Sequence, residues 1–474
     1  MDKIISKIYE ILKDSANLME AEENLSRLMH RFFADALEKV LSQLNETIKK
    51  QKQGEGWKVE RNDQRSIQFL FGTVTFTRTL MTDPNGNPHY PLDEWLGIQK
   101  YERRSPLVDV KIAELASKCD YRTVADILAG WTDVKISHRA VRNIVNKVGM
   151  AQARQDEAMV KELEESAELP QGKKVDVLFA EADGVYIRST ERKKGMEVRH
   201  AVLYEGWEKN GNRVSLKGRE VIMTTKSSDA FWTEVHALAA SRYSLEKAQV
   251  VTNSDGGAGD TAEKFREAFA QSENPVIHQL DPYHVYRNLS RVFGPGKSKY
   301  KDYVLQAIKT QDRSKFEAGM DTYERTLNDP KRMKKAKEFR SYILGNWECI
   351  GDWRDRVEEI PEGARGLGAM ESNQRHITYR MKKRGMHWSR TGGEAMVKII
   401  QGIMNQTLRK AYLKDRQRSV RKQREARKIV KMSALLHERT RPSVGVRHGS
   451  IAVYTSNSSA VGRLRKVIHN GQHS

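Results

Sequence analysis

The sequence predicts a multidomain α+β protein: a mixed-sheet core, helical regions before it, an all-α insertion within it and a basic helical segment after it. Three observations predict this. Short apolar runs of strand character, bounded by turn residues, recur between Lys174 and Leu280. Helical spacing of apolar residues fills most of the remaining chain. The length, 474 residues, suffices for two or three domains, each with its own core. With 83 Lys+Arg against 62 Asp+Glu the net charge is +21, which suits a polyanionic partner. The only two cysteines, Cys119 and Cys349, exclude a disulfide framework and a four-cysteine zinc site within one chain. No apolar run reaches the length of a membrane span, and the amphipathic N-terminus is unlike a signal peptide. An intracellular, soluble protein is expected.

Residues 1–50 carry one long helical pattern with nearly balanced charge, read as a packing or self-association helix. Ser66 to Leu80 reads as two short strands, closed by the turn signal Asp83-Pro84-Asn85-Gly86. From Pro106 to Val148 the pattern is again helical. Here YRTVADILAGWTDVKISHRAVRNIVNKVG reads as helix, turn, helix, with Ser137 as N-cap of the second helix. Val141, Ile144, Val145 and Val148 form its buried stripe, and Arg139, Arg142, Asn143 and Asn146 its other face. A helix-turn-helix sets basic and amide side chains in the major groove in this way, although a surface helix with solvated charges has the same pattern. An acidic linker-like helix, Asp156 to Glu168, follows.

The central stretch, KVDVLFAEADGVYI from Lys174 to Ile187, is apolar on both faces, as a doubly covered strand is. It finishes on Glu181, Asp183 and Gly184. A carboxylate at a buried strand end is costly unless a cation or hydrogen bonds compensate, so Asp183 is the first candidate metal ligand. The alternative is a capped end with Asp183-Gly184 opening a hairpin. Val198 to Gly206 and Arg219 to Thr225 complete an antiparallel meander, and a helix from Ala230 to Arg242 follows. Ala248 to Asp255 is the fourth strand and again ends on an aspartate. Asp260 with Glu263 then caps a helix, and a fifth strand, Pro275 to Leu280, ends on Asp281 with His284 nearby. Three hairpin strands followed by αβαβ is the order of the ribonuclease H-like fold, in which strands one and four end side by side, so Asp183 and Asp255 could share a metal.

Residues 286–350 are helical and basic. Glu371 then lies in the first turn of MESNQRHITYRMKKRG, where the helix dipole favours an anion, with Arg375, Thr378 and Lys382 on roughly the same face and Lys383 and Arg384 beyond. A local alternative is an ion pair from Glu371 to Arg375. Leu408 to Lys431 holds eleven Lys/Arg and two acids, a segment suited to phosphate, with Arg418, Arg421 and Lys422 as candidate contacts. The expected domains are a helical region (1–50), a strand/loop region (51–105), a helix-turn-helix region (106–169), a ribonuclease H-like core in two parts (170–289 and 363–405) split by an all-α insertion (290–362), and a basic segment (406–474).

Two aspartates and a glutamate can hold a pair of Mg2+ ions, hard cations that prefer carboxylate oxygen. EADGVYI, VVTNSDG, LDPYHVYRN and GAMESNQRHITYRMKKRGMHWS together resemble bacterial insertion-sequence transposases of the ISLre type, DDE enzymes of the Mutator-like branch. The resemblance extends from the N-terminal region to the Trp388 neighbourhood. It implies Mg2+-dependent cleavage and joining of double-stranded DNA at the element's terminal inverted repeats and in target DNA. Asp183, Asp255 and Glu371 would hold two ions, with Mn2+ able to substitute, and Asp281 and His284 would be secondary. It further implies a homo-oligomeric complex in the bacterial cytoplasm. Similar proteins often carry an aromatic residue after the second Asp-Gly; this chain has Gly257-Ala258-Gly259. A nuclease that cleaves without joining, and a DNA-binding regulator with structural carboxylates, are the competing expectations.

Overall fold

The computed structural model describes residues 2–166, 172–191, 195–296, 298–419 and 463. The elements below belong to a compact unit spanning Met1–Gln417. The N-terminal pattern is broken into α1 (Asp2–Asp14) and α2 (Leu18–Gly54). Asn17 causes the break: its side chain accepts from the Glu20 N–H at 3.0 Å while the Glu20 carboxylate accepts from the Ala16 N–H at 2.9 Å, a reciprocal cap. Helix α2 covers a hairpin, β1 (Lys58–Phe69) and β2 (Gly72–Thr82), longer than the two short strands expected, and β3 (Pro88–His89) adds an edge. Leu41, Ile67, Val74, Phe76 and Leu92, the last on α3 (Pro91–Trp95), form this small core.

Then come α4 (Pro106–Ala116), α5 (Tyr121–Trp131) and α6 (His138–Glu165). Ser137 caps α6 as expected, accepting from the Ala140 N–H, and Val141, Ile144, Val145 and Val148 are buried. The segment read as an acidic linker-like helix is indeed helical as far as Glu165, but as the continuation of α6 and not as a separate element. Its Asp156 is not solvated but buried, for a reason that lies at Lys398.

Along the central sheet, β4 (Lys173–Lys174) is set apart from β5 (Val177–Ser189); β6 (Met196–Tyr204) follows, then a small excursion hairpin, β7 (Trp207–Asn210) and β8 (Arg213–Leu216), inside the meander. Next are β9 (Glu220–Thr224), α7 (Ser228–Arg242), β10 (Tyr243–Ser244), β11 (Gln249–Ser254), α8 (Ala262–Ala268) and β12 (Ile277–Leu280). The main sheet runs β12-β11-β5-β6-β9: β5, β6 and β9 are antiparallel, and β11 and β12 parallel to β5. Leu178, Ala180 and Ala182 pack with Phe231, Trp232 and Val235 of α7, while Phe179, Val185 and Ile187 join the core of the other face. Coverage on both sides is why the β5 sequence is apolar without alternation.

An all-α insertion begins directly after β12, earlier than residue 290, because Pro282 starts α9 (Pro282–Phe293). With α10 (Lys299–Lys309), α11 (Arg313–Arg325) and α12 (Pro330–Gly345) it closes its own core around Leu289, Val304, Phe316, Met320 and Phe339. The chain returns through α13 (Ala369–Ile377) and a π-helical turn, Thr378–Lys382, to β13 (His387–Trp388), which pairs with the end of β5, and α14 (Arg390–Met404). Among the described residues no helix is long and apolar enough to cross a membrane.

One buried group predicts acid sensitivity. His200 on β6 is fully enclosed, neither ring nitrogen has a hydrogen-bond partner among the described residues, and burial pushes its pKa down to about 3. Its ordinary value is 6.5, so at intermediate pH the unfolded chain takes up a proton that the folded chain refuses. The contribution is complete above pH 6.5 and is lost as pH falls toward about 3. Urea titrations near neutrality and at about pH 4.5 should show His200→Leu losing about 2–3 kcal/mol less than wild type. Equal losses would show that this imidazole does not sense the acid.

Candidate functional site

Strand β11 pairs with β5 as far as Asn253↔Glu181, and with β12 as far as Ser254↔Leu280. Continuing these parallel registers sets Asp183, Asp255 and Asp281 abreast where β11 and β12 end. Strand β5 itself does not end there. It stays paired with β6 from Asp183↔His200 to Ile187↔Met196, and the chain reverses only after Ser189. This corrects both the strand end and the alternative hairpin at Asp183-Gly184: Asp183 loses a partner strand on one side only.

The Asp183 carboxylate accepts from the Gly184 N–H at 2.6 Å and from the Gln374 amide of α13 at 2.5 Å. Asp281 is the N-cap of α9, accepting from the Tyr283 N–H at 2.9 Å. His284, in the first turn of α9, lies between two acids: Nδ1 is 3.9 Å from Asp255 and Nε2 is 3.9 Å from Asp281. Burial, then the Asp255 charge, raises the pKa of Asp183; burial, then the charges of Asp255 and Glu371, raises that of Asp281, although hydrogen bonds and His284 oppose both shifts. Glu371 sits exposed in the first turn of α13, and no ion pair joins it to Arg375 among the described residues. Asp260 does not cap α8, whose N-cap is Thr261. It is turned inward, and burial, outweighing Arg199, pushes it up to about 7. Of the glycines after Asp255, Gly256 is the one the backbone requires, with φ +71°; at Gly259 the nearest neighbour is the tip of the flexible Arg199 side chain, which can move aside.

Glu181, two positions before Asp183 on the same face of β5, is a residue that sequence reasoning passed over. It is fully buried and accepts from the Tyr204 hydroxyl at 2.6 Å, the Gly368 N–H at 3.1 Å and the Met370 N–H at 3.3 Å. Those amides belong to the start of α13, where backbone donors have no intrahelical partners and the dipole favours an anion. Glu181 thereby seats the helix that carries Glu371 and Gln374. Its only signal in the sequence was a second acid in an apolar strand. Glu181→Ala should destabilise the fold by about 2–4 kcal/mol and speed amide exchange at residues 368–372, while Glu181→Gln, which keeps one acceptor, should retain part of the protection. Unchanged exchange in the alanine variant would mean that α13 is held elsewhere.

Among the described residues, no three His, Cys, Asp or Glu groups already converge at metal-ligand spacing. Donor chemistry nonetheless fits a hard divalent cation. Four carboxylates, Asp183, Asp255, Asp281 and Glu371, cluster in a chain of net charge +21, and no Lys or Arg of the described residues forms an ion pair with any of them. Ligand spacing would require the carboxylates to turn toward one another.

Of the candidate nucleic-acid contacts, Arg139, Arg142 and Asn143 are exposed near the start of α6, whereas Asn146 is half-buried. Arg375, Lys382, Lys383 and Arg384 are exposed on and after α13, and Arg384 donates to the Tyr379 hydroxyl at 3.0 Å. Between them Arg380 is buried instead, donating to the Ala116 carbonyl at 2.6 Å and lying over the Trp388 ring. The basic segment is not a free arm at its start: residues 408–419 are helical, with Tyr412 buried and Arg416 ion-paired to Glu102. Arg418 falls in the last described turn, and Arg421 and Lys422 lie outside the described residues.

The chain is similar to curated proteins over most of its length. A UPF0236 protein in the vanSb 3′ region of Streptococcus gallolyticus is 30% identical over 402 residues, covering 85% of this chain and 86% of that one. A UPF0236 protein of Caldanaerobacter subterraneus, whose name strings together eleven numbered designations, is 25% identical over 397 residues, 82% of this chain and 78% of its own. Another from that organism, with four designations, is 24% identical over 405 residues, 84% of this chain and 80% of its own. The family model described as "Uncharacterised protein family (UPF0236)" matches residues 11–418, and the chain therefore belongs to the UPF0236 family.

Proposed function

We propose that the chain is a DDE transposase of an insertion sequence, performing Mg2+-dependent DNA strand cleavage and strand transfer at element ends. One observation carries the reading: Asp183, Asp255 and Asp281 abreast at adjoining strand positions, beside the helix of Glu371, with no Lys or Arg of the described residues ion-paired to them. The sheet order β12-β11-β5-β6-β9, three antiparallel strands with two parallel ones added beyond the first, supports a ribonuclease H-like core. The exposed Arg139, Arg142 and Asn143 after the α5–α6 turn support a helix-turn-helix. A relative whose one name carries eleven designations is what a protein encoded at many places in a genome would be called.

In this reading Asp183, Asp255 and Glu371 are the residues that would hold two Mg2+ ions, and the chemistry the ions would supply is activation of the attacking oxygen and stabilisation of the leaving oxygen of a phosphoryl displacement. The protein's own groups set the stage. Gln374 fixes the orientation of Asp183, and Glu181 seats the helix presenting Glu371. His284 lies 3.9 Å from both the Asp255 and the Asp281 carboxylates, near enough to complement their charge when protonated. Arg139, Arg142, Arg375, Lys382, Lys383 and Arg384 meet phosphates and bases of double-stranded DNA. The active complex is a homo-oligomer, so that two element ends are held together.

The test supplies the full chain with a labelled duplex taken from the DNA flanking its gene, with Mg2+ or Mn2+. Joined products support the transposase. Nicks alone would make it an endonuclease, and binding without cleavage a regulator. Affinity should fall steeply with salt as phosphate contacts release counterions.

A further inference from the structure

Between the loop that follows β11 and helix α12 lies an open cavity of about 820 Å3 that the chemistry above leaves unused. One wall adjoins the acidic cluster through Gly256, the residue after Asp255, although none of the cluster's carboxylates lines the cavity. The Tyr342 hydroxyl donates to the main-chain carbonyl of Asp255 at 2.8 Å, and Tyr342 lies close enough to Asp255 and Asp281 to feel both charges. Gly256 adds bare backbone there: its φ is +71°, and a Cβ would meet the Leu280 side chain at 2.8 Å. The other wall is α12, which carries six Lys/Arg and one acid. Lys334 and Lys337 reach the cavity beside Met333; Lys334 makes only a loose, exposed ion pair with Glu338 at 3.8 Å.

The two walls are chemically opposed. Carboxylates repel an approaching polyanion, so a phosphodiester reaching them needs positive charge on its path, and the lysines of α12 provide it. The cavity's volume lies in the range of small-ligand sites and has room for a nucleotide. Apolar Met333 and the Tyr342 ring suit the face of a base; the lysines suit phosphate.

We propose that this cavity receives one unpaired nucleotide of the DNA strand whose phosphate reacts at the Asp183–Asp255 cluster, with Lys334 and Lys337 at its phosphates and Met333 and Tyr342 at its base. The proposal rests on the DNA strand-transfer reading.

The experiment uses the full chain in EDTA, so that no cleavage intervenes, with a fluorescein-labelled blunt duplex and the same duplex bearing a short single-stranded overhang that contains 2-aminopurine. The overhang should raise affinity about tenfold and quench the 2-aminopurine. Lys334→Ala/Lys337→Ala should abolish the preference and lower the salt slope by about one to two. Lys331→Ala/Lys335→Ala, an equal loss of charge from α12 outside the cavity lining, should keep the preference. Equal affinity for both duplexes in wild type, or equal losses in both double variants, overturns the assignment while leaving DNA binding standing. Displacement of the overhang by free deoxyadenosine monophosphate would make the cavity a mononucleotide site and also overturn it. Failure of wild type to bind either duplex removes the transposase reading itself.

Discussion

Asp183→Asn and Asp255→Asn should each reduce strand cleavage by roughly a thousandfold or more, about 4 kcal/mol of barrier, while leaving affinity for duplex DNA within about twofold. The substitution keeps the shape and, at Asp183, one oxygen for the Gly184 N–H; the new amide nitrogen takes the place of the oxygen that faces Gln374, whose side-chain amide turns over to accept from it. It removes the charge that would attract a divalent cation and that burial and Asp255 already make costly. Thermal stability of Asp183→Asn without metal should therefore equal or exceed that of wild type, and the gain in stability on adding Mg2+ should shrink. That combination separates a chemical defect from a folding defect. Glu371→Gln should follow the same pattern, whereas Asp281→Asn and His284→Ala should cost less. Strand transfer by Asp183→Asn at the wild-type rate would refute the metal assignment, whatever the fate of the DNA contacts.

The strands of the sheet were legible because each combines an apolar run with a turn signal, and the two aspartates were legible because a charge in such a run is costly. Their adjacency followed from strand order. What escaped was whatever depends on pairing on one side of a strand. Asp183 reads as an end because β11 stops beside it, yet β6 carries β5 on to Ile187 and β13 pairs with its last two residues, and nothing local to the sequence distinguishes the two edges. Glu181 escaped for a related reason, since its partners Gly368 and Met370 lie far along the chain. The end of α6 was read as a separate linker-like helix because its composition turns acidic there, although the helix runs on unbroken to Glu165. Asp156 is turned inward by a cation that sits at residue 398.

That cation yields the largest expected effect on stability. Lys398 on α14 is fully buried; its ammonium donates to Asp156 of α6 at 2.7 Å and to Glu234 of α7 at 2.6 Å. Burial alone would lower its pKa, but the two carboxylates outweigh burial and hold the lysine charged, above its ordinary range. Lys398→Met should cost about 3–5 kcal/mol, because a buried pair broken from one side leaves an uncompensated charge. The burden falls mainly on Asp156. Glu234 keeps Lys226 at 3.1 Å, whereas Asp156 is left with the neutral amides of Gln152 and Gln401. Lys398→Met combined with Asp156→Asn should therefore recover much of the loss, a coupling that a double-mutant cycle in urea measures directly. In the single variant the stranded carboxylate would have a raised folded pKa, so its penalty should grow as pH rises above the ordinary carboxylate range and ease as pH falls. If Lys398→Met unfolds within about 1 kcal/mol of wild type, or Asp156→Asn brings no recovery, the three helices are joined by their apolar faces and the buried triad is incidental.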